Sequence, residues 1–246
     1  MRFDGKAALV TGAGNGIGAA IASRLACGGA SVLCVDCDEQ ALARMVETVH
    51  QDGGLAIACV ADVSIHQEVE EAVALAVAHF GSLHLAVNNA GIGGSAAPLA
   101  EQGLEDWHRV LNVNLNGVFY GMKYQIPAIL ASGGGAIVNI ASMWAHHGMR
   151  GRAHYTASKF GVMGLTRAAA ADYADQQIRI NTVCPGVIDT PLARSGGDET
   201  EGVAEMIPVG RIGRAEEVAG VVAFLLSDEA SYVTASEYDV DGGILH

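Results

Sequence analysis

The sequence feature that most constrains the fold is a short apolar run that leads directly into a glycine-rich turn. Residues 7–10 are continuously apolar, as a strand buried on both faces of a parallel sheet requires. The following stretch, residues 11–18, has glycines at positions 12, 16 and 18, and a helix pattern then continues to about Ala26. A helix that begins at such a turn points its amino terminus at bound phosphate. The pattern predicts a pyrophosphate-binding loop, although a merely flexible turn would also be rich in glycine.

The rest of the chain repeats this alternation of apolar runs and helix-like segments. Runs at 31–35, 55–60, 83–87, 136–141 and 178–183 predict strands, and a last strand is expected near 238–240. We therefore predict an α/β fold for residues 1–246: a single Rossmann-like, doubly wound domain whose seven-stranded parallel sheet carries helices on both faces. Polar or glycine residues end several of these strands and should converge at one edge of the sheet: Gly12, Asp36, Asp62, Asn88 and Ser142.

Composition limits the classes of partner. The net charge of −13, with only 14 Lys and Arg residues, disfavours binding to nucleic acid, to an anionic membrane or to an acidic carrier protein. No apolar run reaches the about 18 residues of a membrane span, and residues 1–6 leave no room for a signal peptide. Five cysteines without disulfide-framework spacing fit a reducing compartment, so we expect a cytoplasmic protein. Cys34 and Cys37 form a C-x-x-C pair at a strand end, where the two sulfurs should point to opposite faces, which favours a structural role.

Two acidic residues at strand ends indicate a nucleotide ligand. Asp36 lies 18 positions after Gly18, where a carboxylate accepts hydrogen bonds from adenosine ribose hydroxyls and repels a 2′-phosphate. No arginine follows it at position 37, and Asn15 rather than a basic residue lies in the glycine turn, so the pattern favours NAD over NADP. The competing interpretation is that Asp36 only caps the next helix. Asp62 can hold the adenine amino group or act as an ordinary turn residue, and both interpretations stay open.

Tyr155 and Lys159 lie four residues apart in a helix-like segment, which places the phenol and the ammonium one turn apart on one face. A tyrosine ionises near pH ~10, so acid/base work at neutral pH requires a lower pKa. A positive charge at about 4 Å supplies roughly 4 kcal/mol at an effective dielectric of about 20, so we predict that Lys159 lowers the pKa of Tyr155. Ser142, at the end of the fifth strand, can present its hydroxyl to a substrate oxygen. The alternative is an ordinary surface pair on a helix.

Asparagines interrupt the first of two long predicted helices, which span about 104–131 and 153–174. Asn112, Asn114 and Asn116 are unfavourable in a helix interior. Asn114 can hold a water behind Lys159, or the three residues form a solvated polar face.

The segment after Ser142 combines apolar and basic residues. Trp144 and Met149 would offer apolar surface to a substrate. The basic members can bind an anionic group, or they form a solvated loop or a subunit contact: His146, His147, Arg150, Arg152 and His154. No ligand spacing or paired carboxylate supports metal binding by these histidines, so no metal is predicted. Further along, the polar residues 196–199 lie within a predicted substrate lid at about 190–210.

The motifs resemble, in order and over essentially the whole chain, the short-chain dehydrogenase/reductase family: residues 11–18, 88–91, Asn114, Ser142, Tyr155 with Lys159, 184–186 and 241–243. The resemblance implies that Tyr155 is the acid/base, that Ser142 binds the reacting oxygen, and that Asn114 completes a water-linked proton relay. It further implies that Lys159 holds the nicotinamide ribose, while the backbone of Ile188 and the hydroxyl of Thr190 hold the carboxamide.

The resemblance also supplies full sets of expected contacts. The expected cofactor contacts are Gly12, Asn15, Gly16, Ile17, Gly18, Asp36, Asp62, Val63, Asn89, Ala90, Gly91, Tyr155, Lys159, Pro185, Gly186, Ile188 and Thr190. The expected substrate contacts are Ser142, Trp144, Met149, Arg152, Tyr155, Val187, Leu192 and Met206. The family's usual assembly is a homotetramer formed through the two long helices and around the last strand. One departure is Ala235, where relatives commonly have glycine.

The predicted activity is NAD-dependent interconversion of a secondary alcohol and a ketone. Apolar residues around the site, Ile207 among them, indicate a largely apolar substrate, which is cyclic or aromatic. Two alternatives remain: a β-ketoacyl reductase that acts on an acyl carrier, and a non-catalytic dinucleotide-binding regulator. Asp36 and the acidic net charge disfavour the first, and the complete set Ser142, Tyr155 and Lys159 disfavours the second.

Overall fold

The predicted strands form one parallel sheet in the computed structural model, which describes residues 3–195 and 202–245. The strands are β1 (Ala7–Thr11), β2 (Ser31–Asp36), β3 (Leu55–Val60), β4 (Leu85–Asn88), β5 (Gly135–Ile140), β6 (Ile178–Pro185) and β7 (Glu237–Val240). Their order across the sheet is β3-β2-β1-β4-β5-β6-β7, and every pairing is parallel. The order reverses between β1 and β4, so the predicted doubly wound, seven-stranded sheet is confirmed.

Helices connect the strands and include both long helices expected from the sequence. They are α1 (Gly16–Cys27), α2 (Glu39–Gln51), α3 (His66–Phe80), α4 (Leu104–Leu111), α5 (Gly117–Ala131), α6 (Ala153–Tyr173), α7 (Pro191–Ser195), α8 (Val203–Met206) and α9 (Ala215–Leu226). A π-helical turn, Asn112–Asn116, joins α4 to α5 without a break, and short 3₁₀ turns include Met143–Ala145. Within residues 3–195 and 202–245, no helical segment has the length and apolarity of a membrane span.

Two hydrophobic layers cover the two faces of the sheet. On one face α1, α2 and α9 contribute buried residues such as Ile21, Leu42 and Val222. On the other face α3, α5 and α6 contribute buried residues such as Val73, Ile126 and Val162. Strands covered on both sides must be apolar at successive positions, which explains the continuous runs in the sequence. The carboxyl ends of the strands are therefore left as the edge where loops can form a site.

Ala235, just before β7, has a φ angle of +57°. This left-handed conformation costs a residue with a Cβ about 1–2 kcal/mol, which explains why glycine suits the position better.

The region predicted as a lid contains α7 and α8, which border the site described below. Its polar segment, residues 196–199, lies outside the described residues. The Cys34 side chain is buried within β2, whereas Cys37 is exposed directly after the strand ends.

Candidate active site

The glycine turn between β1 and α1 is held against the loop that follows β4. Gly12 and Gly16 have φ angles of +63° and +55°, which favour glycine. The side-chain amide of Asn89 donates to the carbonyl oxygens of Thr11 and Gly12 at 3.0 and 3.1 Å. A Cβ on Gly18 would lie 2.0 Å from the Gly12 carbonyl oxygen, so Gly18 permits close packing of helix and turn. Gly18 therefore supports the turn from behind rather than lining the cavity in front of it.

Asp36 is fixed at the end of β2 and faces the same turn. Its two carboxylate oxygens accept hydrogen bonds from the backbone N–H groups of Gly14, at 2.8 Å, and Asp38, at 3.0 Å. The residue that caps α2 is Asp38, whose side chain accepts from the N–H groups of Gln40 and Ala41. The interpretation of Asp36 as a mere helix cap is therefore wrong, because the neighbouring carboxylate has that role.

A cavity of about 790 Å³ lies in front of these residues. Most of the expected cofactor contacts from the first half of the chain line it: Gly12, Asn15, Gly16, Ile17, Asp36, Asp62, Val63, Asn89, Ala90 and Gly91. Asp62 also accepts a hydrogen bond from the Ser64 N–H at 2.8 Å, so it acts in the turn and faces the cavity at once. Such a cleft at the switch point of a doubly wound sheet fits an extended dinucleotide.

A second cavity, of about 880 Å³, adjoins the first through shared lining residues that include Asn89, Gly91 and Thr190. The side chains with acid/base potential and the remaining expected cofactor contacts line it: Ser142, Tyr155, Lys159, Pro185, Gly186, Ile188 and Thr190. All eight expected substrate residues line it too: Ser142, Trp144, Met149, Arg152, Tyr155, Val187, Leu192 and Met206. Ile207 does not line it, because its side chain is buried against Gly242.

Val203 and Ile244 also contribute to this wall and were not predicted. Their contribution depends on where α8 and residues 241–245 lie beside the other residues of this wall. No local pattern in the sequence reports that arrangement.

Ser142, Tyr155 and Lys159 lie together at the base of the second cavity. The Ser142 hydroxyl accepts a hydrogen bond from the Trp144 N–H at 3.2 Å and also hydrogen-bonds to the Tyr155 phenol. The Lys159 ammonium donates to the Ile140 carbonyl oxygen at 3.0 Å and lies 5.6 Å from the centre of the Tyr155 ring. The three side chains can therefore act on one bound oxygen and on the groups around it.

The electrostatics of the pair differ from the sequence prediction. Burial raises the pKa of Tyr155 above its ordinary value, and the hydrogen bond from Ser142 and the charge of Arg152 only partly oppose it. Burial also lowers the pKa of Lys159 to about 8. The prediction that Lys159 depresses the Tyr155 pKa is thus wrong for this structure. Desolvation is the largest influence on the phenol pKa, and the cation that lowers this pKa is Arg152.

Asn114 is positioned by the π-helical turn. Its side-chain oxygen accepts from the Ile92 N–H at 2.8 Å, and its amide donates to the Ile92 carbonyl and to the Ser158 hydroxyl. Asn114 is fully buried, so the interpretation as a solvated face is wrong for this residue. The Asn114 side chain links the loop after β4 to α6, the helix that carries Tyr155 and Lys159. π-Helical turns inside helices often mark functional sites, because they displace one side chain from the regular pattern.

The basic residues after Ser142 do not converge on one site. His146 pairs with Asp239 at 3.0 Å, while His147 and Arg150 are exposed. Arg152 lies in the cavity wall, where its guanidinium donates to the carbonyl oxygens of Gly93 and Gly94.

His154 is fully buried beside the catalytic candidate Tyr155. Its Nε2 lies 3.1 Å from the Ser95 carbonyl oxygen and 3.3 Å from an Asp106 carboxylate oxygen, while Nδ1 accepts the Tyr155 N–H. His154 therefore ties the first turn of α6 to α4 and to the loop after β4.

Comparisons with known proteins agree with this geometry. A family model described as enoyl-(acyl carrier protein) reductase matches residues 12–245. The chain is 51% identical to cyclohexanol dehydrogenase from Acinetobacter sp. (strain SE19), over 98% of the chain and 95% of that protein. It is 39% identical to a 3-oxoacyl-[acyl-carrier-protein] reductase from Thermotoga maritima, over 100% of both chains. It also resembles the structure of NAD⁺-bound xylitol dehydrogenase, with a TM-score of 0.92, 33% identity and coverage of 99% and 100%. The chain therefore belongs to the short-chain dehydrogenase/reductase family of oxidoreductases.

Proposed function

We propose that this enzyme interconverts a secondary alcohol and a ketone on a largely apolar, cyclic substrate, with NAD(H) as the cofactor. The observation that carries the proposal is the joining of two cavities. Ser142, Tyr155 and Lys159 lie in the one that is lined mainly by apolar side chains, and Asp36 lies in the other.

The choice of NAD rests on Asp36. Its carboxylate is oriented by two backbone N–H groups and faces the cavity beside the glycine turn. In that position it would accept hydrogen bonds from ribose hydroxyls and repel a 2′-phosphate. The turn and the amino terminus of α1 would hold the pyrophosphate, and Ile188 and Thr190 would hold the carboxamide. When bound, a nicotinamide supplies the acceptor or donor of the hydride.

The proposed chemistry uses the chain's own acid and base. In ketone reduction Tyr155 donates its phenolic proton to the carbonyl oxygen, which Ser142 holds by a hydrogen bond. In alcohol oxidation the tyrosinate takes the hydroxyl proton, and Asn114 and Lys159 serve the route that returns protons to solvent. Because burial raises the Tyr155 pKa, the protonated phenol prevails at neutral pH, and this form favours reduction.

The apolar character of the substrate follows from the cavity wall. Trp144, Met149, Val187, Leu192 and Met206 surround the space next to Ser142 and Tyr155. A cyclic aliphatic ring fills such a space without leaving polar groups unpaired. The 51% identity to cyclohexanol dehydrogenase supports the same substrate class.

A second candidate function is reduction of a 3-oxoacyl group on an acyl carrier protein. The full-length similarity to the Thermotoga maritima reductase favours it. The net charge of −13 disfavours docking of an acidic carrier, and Asp36 disfavours NADPH. Rapid turnover of an acetoacetyl thioester with NADPH would support this candidate instead. The non-catalytic alternative is set aside, because the named relatives are dehydrogenases and reductases.

The deciding experiment is a steady-state assay of cyclohexanol oxidation and cyclohexanone reduction with NAD(H) and, separately, NADP(H). A linear secondary alcohol and a ring bearing a carboxylate complete the panel, the latter to test Arg152. We expect kcat/KM to be highest for the uncharged ring with NAD(H). Inactivity on every ring compound, or equal activity with both cofactors, would contradict the proposal.

We also propose that the protein is a homotetramer, as the family resemblance suggests. The two long helices expose Phe119 and Phe160, each with 46% of its surface accessible. Four-chain assembly through these helices would cover both rings. Light scattering coupled to size-exclusion chromatography should give four times 25.3 kDa, and a mass of one chain would contradict the assignment.

A further inference from the structure

Three potential metal ligands meet at the carboxyl ends of β6 and β7, outside the residues assigned to catalysis. Cys184 and Asp239 are direct register partners on these two neighbouring strands. His146 reaches over them from the loop after β5, and its Nε2 lies 3.0 Å from Asp239 Oδ1. The Cys184 sulfur, a His146 ring nitrogen and an Asp239 oxygen all lie within 4.8 Å of one another. This group cannot be recognised from the sequence, because the three residues are far apart along the chain.

The donor set suits a thiophilic divalent cation. Imidazole, thiolate and carboxylate are the side-chain ligands of zinc, with bonds of about 2.0–2.3 Å. Ligand atoms around one tetrahedral zinc lie roughly 3.3–3.7 Å apart. The three atoms lie within 4.8 Å of one another, so no pair needs to approach by more than about 1.5 Å, and His146 and Asp239, at 3.0 Å, need to separate slightly. The His146 and Asp239 side chains are 25% and 29% exposed. In the single chain an ion can therefore enter from solvent, and water can complete the coordination.

The charges around the thiol also favour a dication. The Asp239 carboxylate lies beside the Cys184 sulfur within the group, and Glu237, two residues before it on β7, is already paired with Arg167 at 2.7 Å. The Asp239 carboxylate is therefore the charge that attracts a doubly positive ion. Binding would replace the thiol proton by the metal and release that proton to solvent.

The group is mechanically connected to the reacting centre. The backbone N–H of Ser142 hydrogen-bonds to the Cys184 thiol. His146 lies four residues after Ser142 on the same loop, and Cys184 immediately precedes Pro185 and Gly186 in the cavity wall. Drawing the three ligands together would therefore pull on the backbone that positions the Ser142 hydroxyl.

We propose that His146, Cys184 and Asp239 form a binding site for one zinc ion, and that its occupancy slows turnover by displacing Ser142. The site is independent of the substrate and cofactor assigned above. Binding can be measured without either of them, so its failure would not touch the proposed function.

The test is a titration of the full-length, tag-free protein with Zn²⁺ in competition with a chromophoric chelator, followed by activity at each occupancy. We expect one equivalent to bind and turnover to fall at least fivefold. His146→Gln and Asp239→Asn should each weaken binding at least tenfold while leaving zinc-free activity unchanged, and Cys184→Ser should abolish binding. Cys37→Ser is the matched control, since this exposed cysteine lies outside the group, and Mg²⁺ is the control ion.

Several results would overturn the proposal. The unmodified protein could fail to bind Zn²⁺, or it could bind Zn²⁺ fully without any change in turnover. The affinity for Zn²⁺ could also be unchanged in both His146→Gln and Asp239→Asn, or be lost in the control Cys37→Ser. Thermal melting of each variant shows whether it is folded. If the buried Cys184→Ser variant does not fold, the two half-exposed variants decide the question.

Discussion

Removing the charge of Asp36 should sharply reduce the discrimination between NADH and NADPH. The carboxylate is held by two backbone hydrogen bonds of 2.8 and 3.0 Å, so it cannot turn away from an incoming phosphate without losing both. A 2′-phosphate with about 1.5 negative charges at about 4 Å is repelled by roughly 1.6 kcal/mol in water and by about 6 kcal/mol at an effective dielectric of about 20. Asp36 is half-buried, so an intermediate value applies. We expect about 2–4 kcal/mol, which is a roughly 30- to 1,000-fold preference for NADH.

The measurement is a fluorescence titration of each reduced cofactor at fixed ionic strength, because salt screens this repulsion. Asp36→Asn retains the size of the side chain and one acceptor oxygen. It should reduce the preference for NADH over NADPH at least tenfold, mainly by increasing the affinity for NADPH. Asp38→Asn is the matched control: it removes a nearby charge, yet asparagine can still cap α2. Equal affinity of the unmodified protein for both cofactors, or an unchanged ratio in Asp36→Asn, would refute the role of the carboxylate.

Three further predictions follow from the burial and backbone conformation of single residues. Oxidation needs the deprotonated Tyr155 phenol, whose pKa is raised, so the rate of alcohol oxidation should increase up to about tenfold per pH unit from pH 6 to 9. The rate of ketone reduction, which uses the protonated phenol, should not increase. A rate of oxidation that does not change with pH in stopped-flow assays would contradict this prediction. Lys159 has a pKa of about 8 when folded and near 10.5 when unfolded, so the folded state binds fewer protons between these values and stability increases with pH across that window. Burying the Lys159 charge therefore lowers the free energy of unfolding by about 3 kcal/mol at pH 7. Lys159→Met should be inactive but about 1–2 kcal/mol more stable, because it removes this cost and loses only the hydrogen bond to Ile140, and the gain should shrink above pH 8. Urea denaturation that shows a less stable variant at pH 7 would count against this prediction. Ala235→Gly should raise the free energy of unfolding by about 1 kcal/mol without changing kcat, because the φ of +57° suits glycine, and a destabilised variant would contradict that reasoning.

The sheet and the edge that carries the site could be predicted from local patterns. Each buried strand has its own apolar run, and several of these runs lead to a residue whose type fits a ligand, such as Gly12 or Asp36. Parallel pairing then brings these ends together without any further information. For this reason the predicted strands and both long helices agree with the structure, and most residues expected at the site line one of the two cavities, Gly18 and Ile207 being exceptions.

The features that could not be predicted depend on tertiary packing. The asparagines at 112–116 are unfavourable in a helix interior, but only the structure shows a π-helical turn that buries Asn114 against Ile92. The direction of the Tyr155 pKa shift depends on desolvation, which sequence spacing does not measure.

The group of His146, Cys184 and Asp239 depends on the register of β6 and β7, which is likewise invisible in the sequence. That is why the histidines alone gave no indication of a metal site.

The central claim, that Tyr155 exchanges the proton when hydride moves, is tested most directly by single-turnover kinetics of Tyr155→Phe at saturating cofactor. Tyr173→Phe makes the same chemical change at the far end of α6 and is the matched control. We predict that Tyr155→Phe loses about 10²–10⁴-fold in the rate of hydride transfer, with cofactor affinity nearly unchanged, while Tyr173→Phe retains full activity. A Tyr155→Phe enzyme that transfers hydride within a few-fold of the unmodified rate would contradict the account.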